Sequence, residues 1–201
     1  MFVVCSIIYQ ELSVWVARGW IAAAIVVSAF SAPIVPPILA PARLQNYMEA
    51  AGIRPAPIEA PGVGAPLTQG LSDEFGWREQ EQKVAAVFHQ LSHDQKRAAI
   101  LASTYGQTAA IDVYGSADGL PPALSGHNQY WLWGPRGYDG SLVIHIGGDP
   151  ERWRRVCGSL EIVDKTDNSF AMPYENSRPI FVCRDMRVSV EQMWGRLKRY
   201  R

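Results

Sequence analysis

The run at residues 20–39, WIAAAIVVSAFSAPIVPPIL, constrains this chain more than any other stretch. It holds 20 residues without a charge, the length an α-helix needs to cross the hydrocarbon core of a bilayer. Pro33, Pro36 and Pro37 kink or end such a helix toward its far side, because proline lacks the amide hydrogen and clashes with the preceding turn. Trp20 suits the membrane interface. The expectation is one transmembrane helix. A secretory leader reads the same letters, with Arg18 as charged flank and the small residues 28–32 as a cleavage site, but the run starts late and is long for that role. A buried core helix is the third and weakest reading. Arg18 before the run and Arg43 after it do not set an orientation. Residues 1–15 are also apolar, but Gln10 and Glu11 interrupt them, so they are not read as a span.

Three segments follow: a membrane part at 1–40, a juxtamembrane helix and linker at 41–70, and an α/β domain at 71–201. Leu44, Tyr47, Met48 and Ala51 form one stripe of a short helix over 42–51, with Gly52 as its stop. Residues 53–70 are rich in Pro, Gly and Ala and read as a linker.

In the domain, Val84, Val87, Phe88 and Leu91 mark an amphipathic helix over 77–91. The apolar runs 98–103 and 141–146 (SLVIHI) read as buried strands. Between them, 104–106 turns the chain and 107–114 reads as a helix closed by Gly115. Asp149 with Pro150 opens the next helix, whose stripe is Trp153, Val156, Cys157 and Leu160. Residues 161–163 give a short strand and 179–183 (PIFVC) another. Ser189 with Gln192 forms a capping box for a last helix carrying Val190, Met193, Trp194 and Leu197. Strands that alternate with helices predict a small, mostly parallel three-layer α/β sheet domain, preceded by one transmembrane helix.

The formal net charge is zero, so no basic field is present to displace counterions from nucleic acid. Three cysteines are too few for a disulfide scaffold. Cys157 and Cys183 pair only in an oxidising compartment and with Cα atoms within about 7 Å. Two separately buried thiols are the expectation.

The densest chemistry lies at 120–135, LPPALSGHNQYWLWGP. Prolines and glycines exclude a regular helix or a long central strand, so amides, a histidine and large rings sit on a stiffened loop. Rings beside Asn, Gln and His suit a sugar, whose C–H face stacks on an aromatic while its hydroxyls find polar partners. The competing reading buries the same rings as core anchors. Tyr105, Gln107 and Asp112 surround the turn after the first strand, and ligands of open α/β sheets bind outside the carboxyl ends of strands. Asp112 either orients His127 or faces solvent. The loop at 172–176 (MPYEN) adds Glu175, which either binds a sugar hydroxyl or makes a turn. The expected ligand contacts are Tyr105, Gln107, Asp112, His127, Asn128, Tyr130, Trp131, Trp133 and Glu175.

Other patterns carry less. His89 and His93 have metal-ligand spacing, but Gln90 stands where a zinc protease has glutamate and no third ligand is evident, so no metal is expected. Gly147 and Gly148 fit a tight strand-to-helix turn better than a phosphate cradle, since Asp149 puts negative charge there. Ser125 and His127 are too close in sequence to build a triad, and no nucleophile elbow exists.

The segments LSDEFGW (71–77), AAILASTYGQTAAIDVYG (98–115), GLPPALSGHNQYWLWGP (119–135) and AMPYEN (171–176), followed by PIFVCR, together resemble the C-terminal part of bacterial membrane glycosyltransferases of family 39. These are the dolichyl-phosphate-mannose mannosyltransferase-like proteins, and the resemblance runs from about residue 19 to 198. It implies a polytopic catalytic part that takes a sugar from a polyprenyl-phosphate donor, with an acidic residue in an early extracytoplasmic loop. It also implies a soluble α/β domain after the last helix, outside the cytoplasm and held at the bacterial inner membrane. Residues 20–39 would be that last helix. The polytopic part and its acidic loop are missing from this sequence, so no residue inherits the catalytic role, and no cofactor is implied. The expectation is therefore the tail, a fragment or one half of a glycosyltransferase, glycan-binding or structural, whose partners are the polyprenyl-phosphate-linked sugar or glycan acceptor and the membrane. A stand-alone secreted or anchored carbohydrate-binding domain or enzyme is the alternative.

Overall fold

The computed structural model describes residues 2–36, 38–55, 59, 63–91, 98–138 and 140–200, with side chains from residue 13 onward. The chain divides into two compact units, Met1–Pro55 and Ala56–Arg201. The division falls inside the stretch expected to be a linker.

The first unit contains α1 (Phe2–Ser31) and α2 (Pro41–Ala50). Within α1, Ser13–Ser31 is long and apolar enough to span a membrane, and none of it is buried. A leader sequence passes the same test. The expected span of 20–39 is thus shifted: the helix stops two residues before Pro33, whose ring disfavours helical geometry at the residue before it. The Phe30 carbonyl at this frayed end is capped by the Tyr47 hydroxyl at 2.8 Å. The helix α2 ends as expected, with Gly52 at φ +69° and the Ile53 amide donating to the Met48 carbonyl at 2.8 Å. Leu44 and Met48 of its apolar stripe are buried.

In the second unit a short turn, α3 (Gln69–Ser72), leads into α4 (Trp77–Gln90), β1 (Ala98–Ala102), α5 (Tyr105–Tyr114) and α6 (Gln129–Leu132). Then come β2 (Leu142–Ile146), α7 (Pro150–Arg154), β3 (Ser159–Lys165), β4 (Pro179–Arg184) and α8 (Val190–Leu197). The four strands form one sheet in the order β1-β2-β4-β3. Only β1 and β2 are parallel, Ile100 facing Ile144; β4 runs antiparallel to both β2 and β3. The expected mostly parallel sheet is corrected here. No helix intervenes between β3 and β4; the chain returns directly through residues 166–178 and pairs in the opposite sense.

The strands β1, β2 and β4 are buried on both faces, which is why they read as continuous apolar runs. Ile100, Ile144, Ile146, Ile180 and Val182 pack with Val84 and Phe88 of α4 and Ile111 of α5. Leu101, Val143 and Phe181 pack on the other side with Trp153 of α7 and Val190, Met193 and Trp194 of α8. The strand β3 is an edge, with an irregularity between Ile162 and Asp164 and mostly exposed side chains.

Cys157 and Cys183 are joined in a disulfide, their Cα atoms 5.5 Å apart. This corrects the expectation of two separate thiols. The sequence could not reveal it, because the pairing depends on β4 lying beside the start of β3.

Candidate functional site

The turn after β1 is held by a capping box. The Thr104 hydroxyl accepts the Gln107 amide at 3.3 Å, and Gln107 Oε1 accepts the Ser103 and Thr104 amides at 3.2 and 3.3 Å. Gln107 Nε2 then donates to Glu175 Oε2 at 3.1 Å. The Glu175 carbonyl accepts the Thr166 hydroxyl at 2.8 Å. Gln107 and Glu175 are therefore brought together, and the fully buried Gln107 spends its amide on tying the 166–178 loop to the β1 turn. That loop meets the 73–77 segment as well. The Tyr174 hydroxyl donates to Asp73 Oδ1 at 3.0 Å, and Phe75 lies 5.7 Å from Phe170. Burial raises the Tyr174 pKa, and Asp73 raises it further.

The 120–135 loop is not one surface. Leu124 pairs with the outer edge of β1, donating to the Ile100 carbonyl at 2.7 Å and accepting from Ala102 at 2.8 Å. Ser125 is fully buried, away from any ligand outside the fold, and its hydroxyl accepts the His127 amide at 3.1 Å. The C-terminal tail then pairs alongside: the Arg199 amide donates to the Gly126 carbonyl at 2.8 Å, and the Asn128 amide to the Arg199 carbonyl at 2.9 Å. A Cβ at Gly126 would sit 2.0 Å from the Leu197 carbonyl oxygen, so only glycine permits this approach. Asn128 is held at φ 53°, ψ −134°, a backbone region that non-glycine residues rarely adopt and that costs roughly 1–3 kcal/mol.

His127 is buried beneath Tyr105. Its Nδ1 accepts the Tyr105 amide at 3.2 Å and the rings are 5.2 Å apart, leaving the Tyr105 ring 54% exposed. Asp112 does not orient His127. Its Oδ1 accepts the Ala123 amide at 2.8 Å, and Oδ2 lies 3.6 Å from the Arg136 guanidinium.

The aromatic residues separate by role. Trp131 and Trp194 exchange bonds, each indole N–H donating to the other's backbone carbonyl, at 3.1 and 3.0 Å. Lys198 covers the Trp131 ring at 4.3 Å. Trp131 thus anchors α6 to α8. Tyr130 and Trp133 point elsewhere, edge to face at 4.5 Å, with the Arg136 guanidinium 5.3 Å from the Trp133 ring. Trp133 remains 55% exposed. Burial, followed by Asp112, raises the Tyr130 pKa, so its phenol stays protonated and able to donate. A half-exposed indole, a phenol, a carboxylate and a guanidinium are gathered at one place.

His89 Nε2 bonds the Asp118 carbonyl at 3.0 Å, and His93 lies outside the described residues. Among the described residues no group of three or more His, Cys, Asp or Glu is placed to hold a metal. Gly147 and Gly148 have φ of +74° and +73° and form the tight turn after β2. A Cβ on Gly148 would meet His145 Cε1 at 2.9 Å.

None of the nine expected contacts lines the cleft at the strand ends of this unit. A cleft of about 470 Å³ opens beyond the carboxyl ends of β1 and β2, between α7 and α8. Its floor includes Leu101, Trp153, Met193 and Leu197, and its cations are Arg152, Arg196, Lys198 and Arg199. His145 lines it too. Strand-end reasoning pointed to this side of the sheet. The residues escaped notice because they come from four distant segments; the one local signal was RLKR at 196–199, a cationic run beside α8.

No family, curated protein or solved structure matches this chain.

Proposed function

We propose that residues 56–201 form the extracytoplasmic, glycan-holding part of a membrane glycosyltransferase that uses a polyprenyl-phosphate-linked sugar, with α1 at the membrane and catalysis residing in other membrane helices. The observation that carries glycan binding is the exposed Trp133 ring beside Tyr130, Asp112 and Arg136. A pyranose offers an apolar C–H face to such a ring and hydroxyls to the carboxylate, guanidinium and phenol. An exposed tryptophan on a stiffened loop, with polar groups converging on it, is a recognition surface more than a packing one.

The Cys157–Cys183 disulfide supports the extracytoplasmic side, since such bonds persist in oxidising compartments. A cleaved leader in place of an anchor leaves the same domain on the same side. Mass spectrometry of the mature N-terminus separates the two, because cleavage near Ala32 removes α1.

Glycan-array binding by the full chain in lipid nanodiscs tests the platform. Trp133→Ala abolishes binding while the melting temperature falls by only a few degrees, the loss of its contact with Tyr130 and Arg136. Trp131→Ala does the reverse, lowering the melting temperature through the lost anchor to α8. Binding that survives Trp133→Ala would refute the platform.

A further inference from the structure

The cleft beyond β1 and β2 has a composition unlike the Trp133 platform. Its floor is apolar, built from Leu101, Trp153, Val156, Val188, Met193 and Leu197. Its mouth carries Arg152, Arg196, Lys198 and Arg199 against one carboxylate, Asp149, whose side chain already accepts the Glu151 amide at 3.0 Å. Among the described residues neither Arg152 nor Arg196 enters an ion pair. Of the other two, Lys198 stands over the Trp131 and Tyr200 rings, and Arg199 donates to the Ser103 carbonyl at 3.0 Å. Four cations line this opening against one carboxylate, and that excess of positive charge raises the local concentration of anions and matches a dianion better than a single charge.

A second observation is independent of the surface charge. His145 is only 4% exposed, and its ring forms part of the cleft wall, stacked on Phe181 at 4.8 Å and tilted against Trp153 at 4.5 Å. Its Nδ1 makes no hydrogen bond of normal geometry among the described residues. That nitrogen is turned toward the Gly147–Gly148 turn and is itself buried, so the cleft meets the flat ring and not the nitrogen. Burial pushes the imidazole down to about 3, with the Gly147 backbone acting the other way, so it presents a neutral ring at physiological pH. It serves the cleft as an uncharged aromatic wall beside Trp153. No hydrogen bond joins Ser103 Oγ to His145, so no nucleophile–base pair is assembled here.

We propose that this cleft is a second binding site, for a small phosphate monoester whose apolar or ring-shaped body rests on the floor while its phosphate meets Arg152, Arg196, Lys198 and Arg199. The volume of about 470 Å³ accommodates a ligand of that class. The site stands apart from the glycan platform, and neither reading depends on the other.

The test titrates phenyl phosphate into the full chain in zwitterionic nanodiscs, by calorimetry and by the fluorescence of the indoles. Inorganic phosphate supplies the anion without the body, and phenol the body without the anion. Phenyl phosphate is expected to bind more tightly than either, and to weaken as salt rises. Arg152→Gln with Arg196→Gln, both exposed and outside the packing, is expected to raise its Kd about tenfold or more, the loss of roughly one charge-assisted contact. Trp133→Ala leaves the affinity unchanged, which separates failure here from failure of the glycan platform. Adding anionic lipid to the discs identifies the source of the phosphate: competition assigns it to lipid headgroups, and its absence to a soluble ester, both keeping the site. Equal binding of phenol, or an affinity unmoved by the double substitution, would overturn the proposal.

Discussion

Reducing the Cys157–Cys183 disulfide is the sharpest perturbation of this fold. The bond spans 26 residues of sequence and fastens the start of β3 to β4. On the chain-entropy account, opening a loop of that length restores about 12 cal/mol/K to the unfolded chain, or about 3.5 kcal/mol at 25 °C. Typical domains have only 5–15 kcal/mol in total, so the loss is a large share. At 2–4 °C per kcal/mol for a unit of this size, the melting temperature falls by roughly 7–14 °C. The assay compares thermal unfolding of the same preparation before and after reduction, with alkylation beforehand to count free thiols. Cys157 and Cys183 should resist alkylation until a reductant and denaturant are both present. Both thiols labelling without reductant would refute the pairing. An unchanged midpoint after verified reduction would refute the argument that the loop closure stabilises the domain.

Two further substitutions test local physics. Gly126→Ala forces a methyl group into the Leu197 carbonyl, so the tail must leave its pairing with residues 126–128; a loss of several kcal/mol and earlier proteolysis within residues 198–200 are expected. Glu81 is fully buried on α4, and burial first, then the neighbouring Asp118 carboxyl, raise its pKa above the usual carboxylate value. A raised carboxylate pKa means that the folded state binds the proton more tightly, so this group costs stability as pH rises from 4.5 through the folded pKa and continues to cost it above. Glu81→Gln should therefore raise the melting temperature by a few degrees at pH 8 and by little near pH 4, and equal shifts at both would discard the account.

Local signals were readable from the residues because they act within a few positions. Ser189 and Gln192 do close a capping box, Asp149 caps α7 ahead of Pro150, and Gly52 ends α2 in the left-handed region. The apolar runs at 98–103, 141–146 and 179–183 become buried strands because nearly all of their side chains are apolar, His145 being the buried exception. Thr104 and Gln107 formed a second capping box that the sequence also contained, hidden by reading the segment as a turn.

What tertiary structure decided is everything that depends on distant segments meeting. Local pattern cannot show that β4 enters the slot between β2 and β3, since pairing direction follows from how the 166–178 loop returns and not from strand composition. It cannot separate Trp131 from Trp133, two residues apart on one short turn. Helical rotation sends the first toward Trp194 and leaves the second in solvent. The cleft is the clearest case. Residues 101–103, 145–153 and 188–199 share no local pattern, and only the stacking of α7 and α8 over one face of the sheet gathers four cations around a neutral, buried histidine.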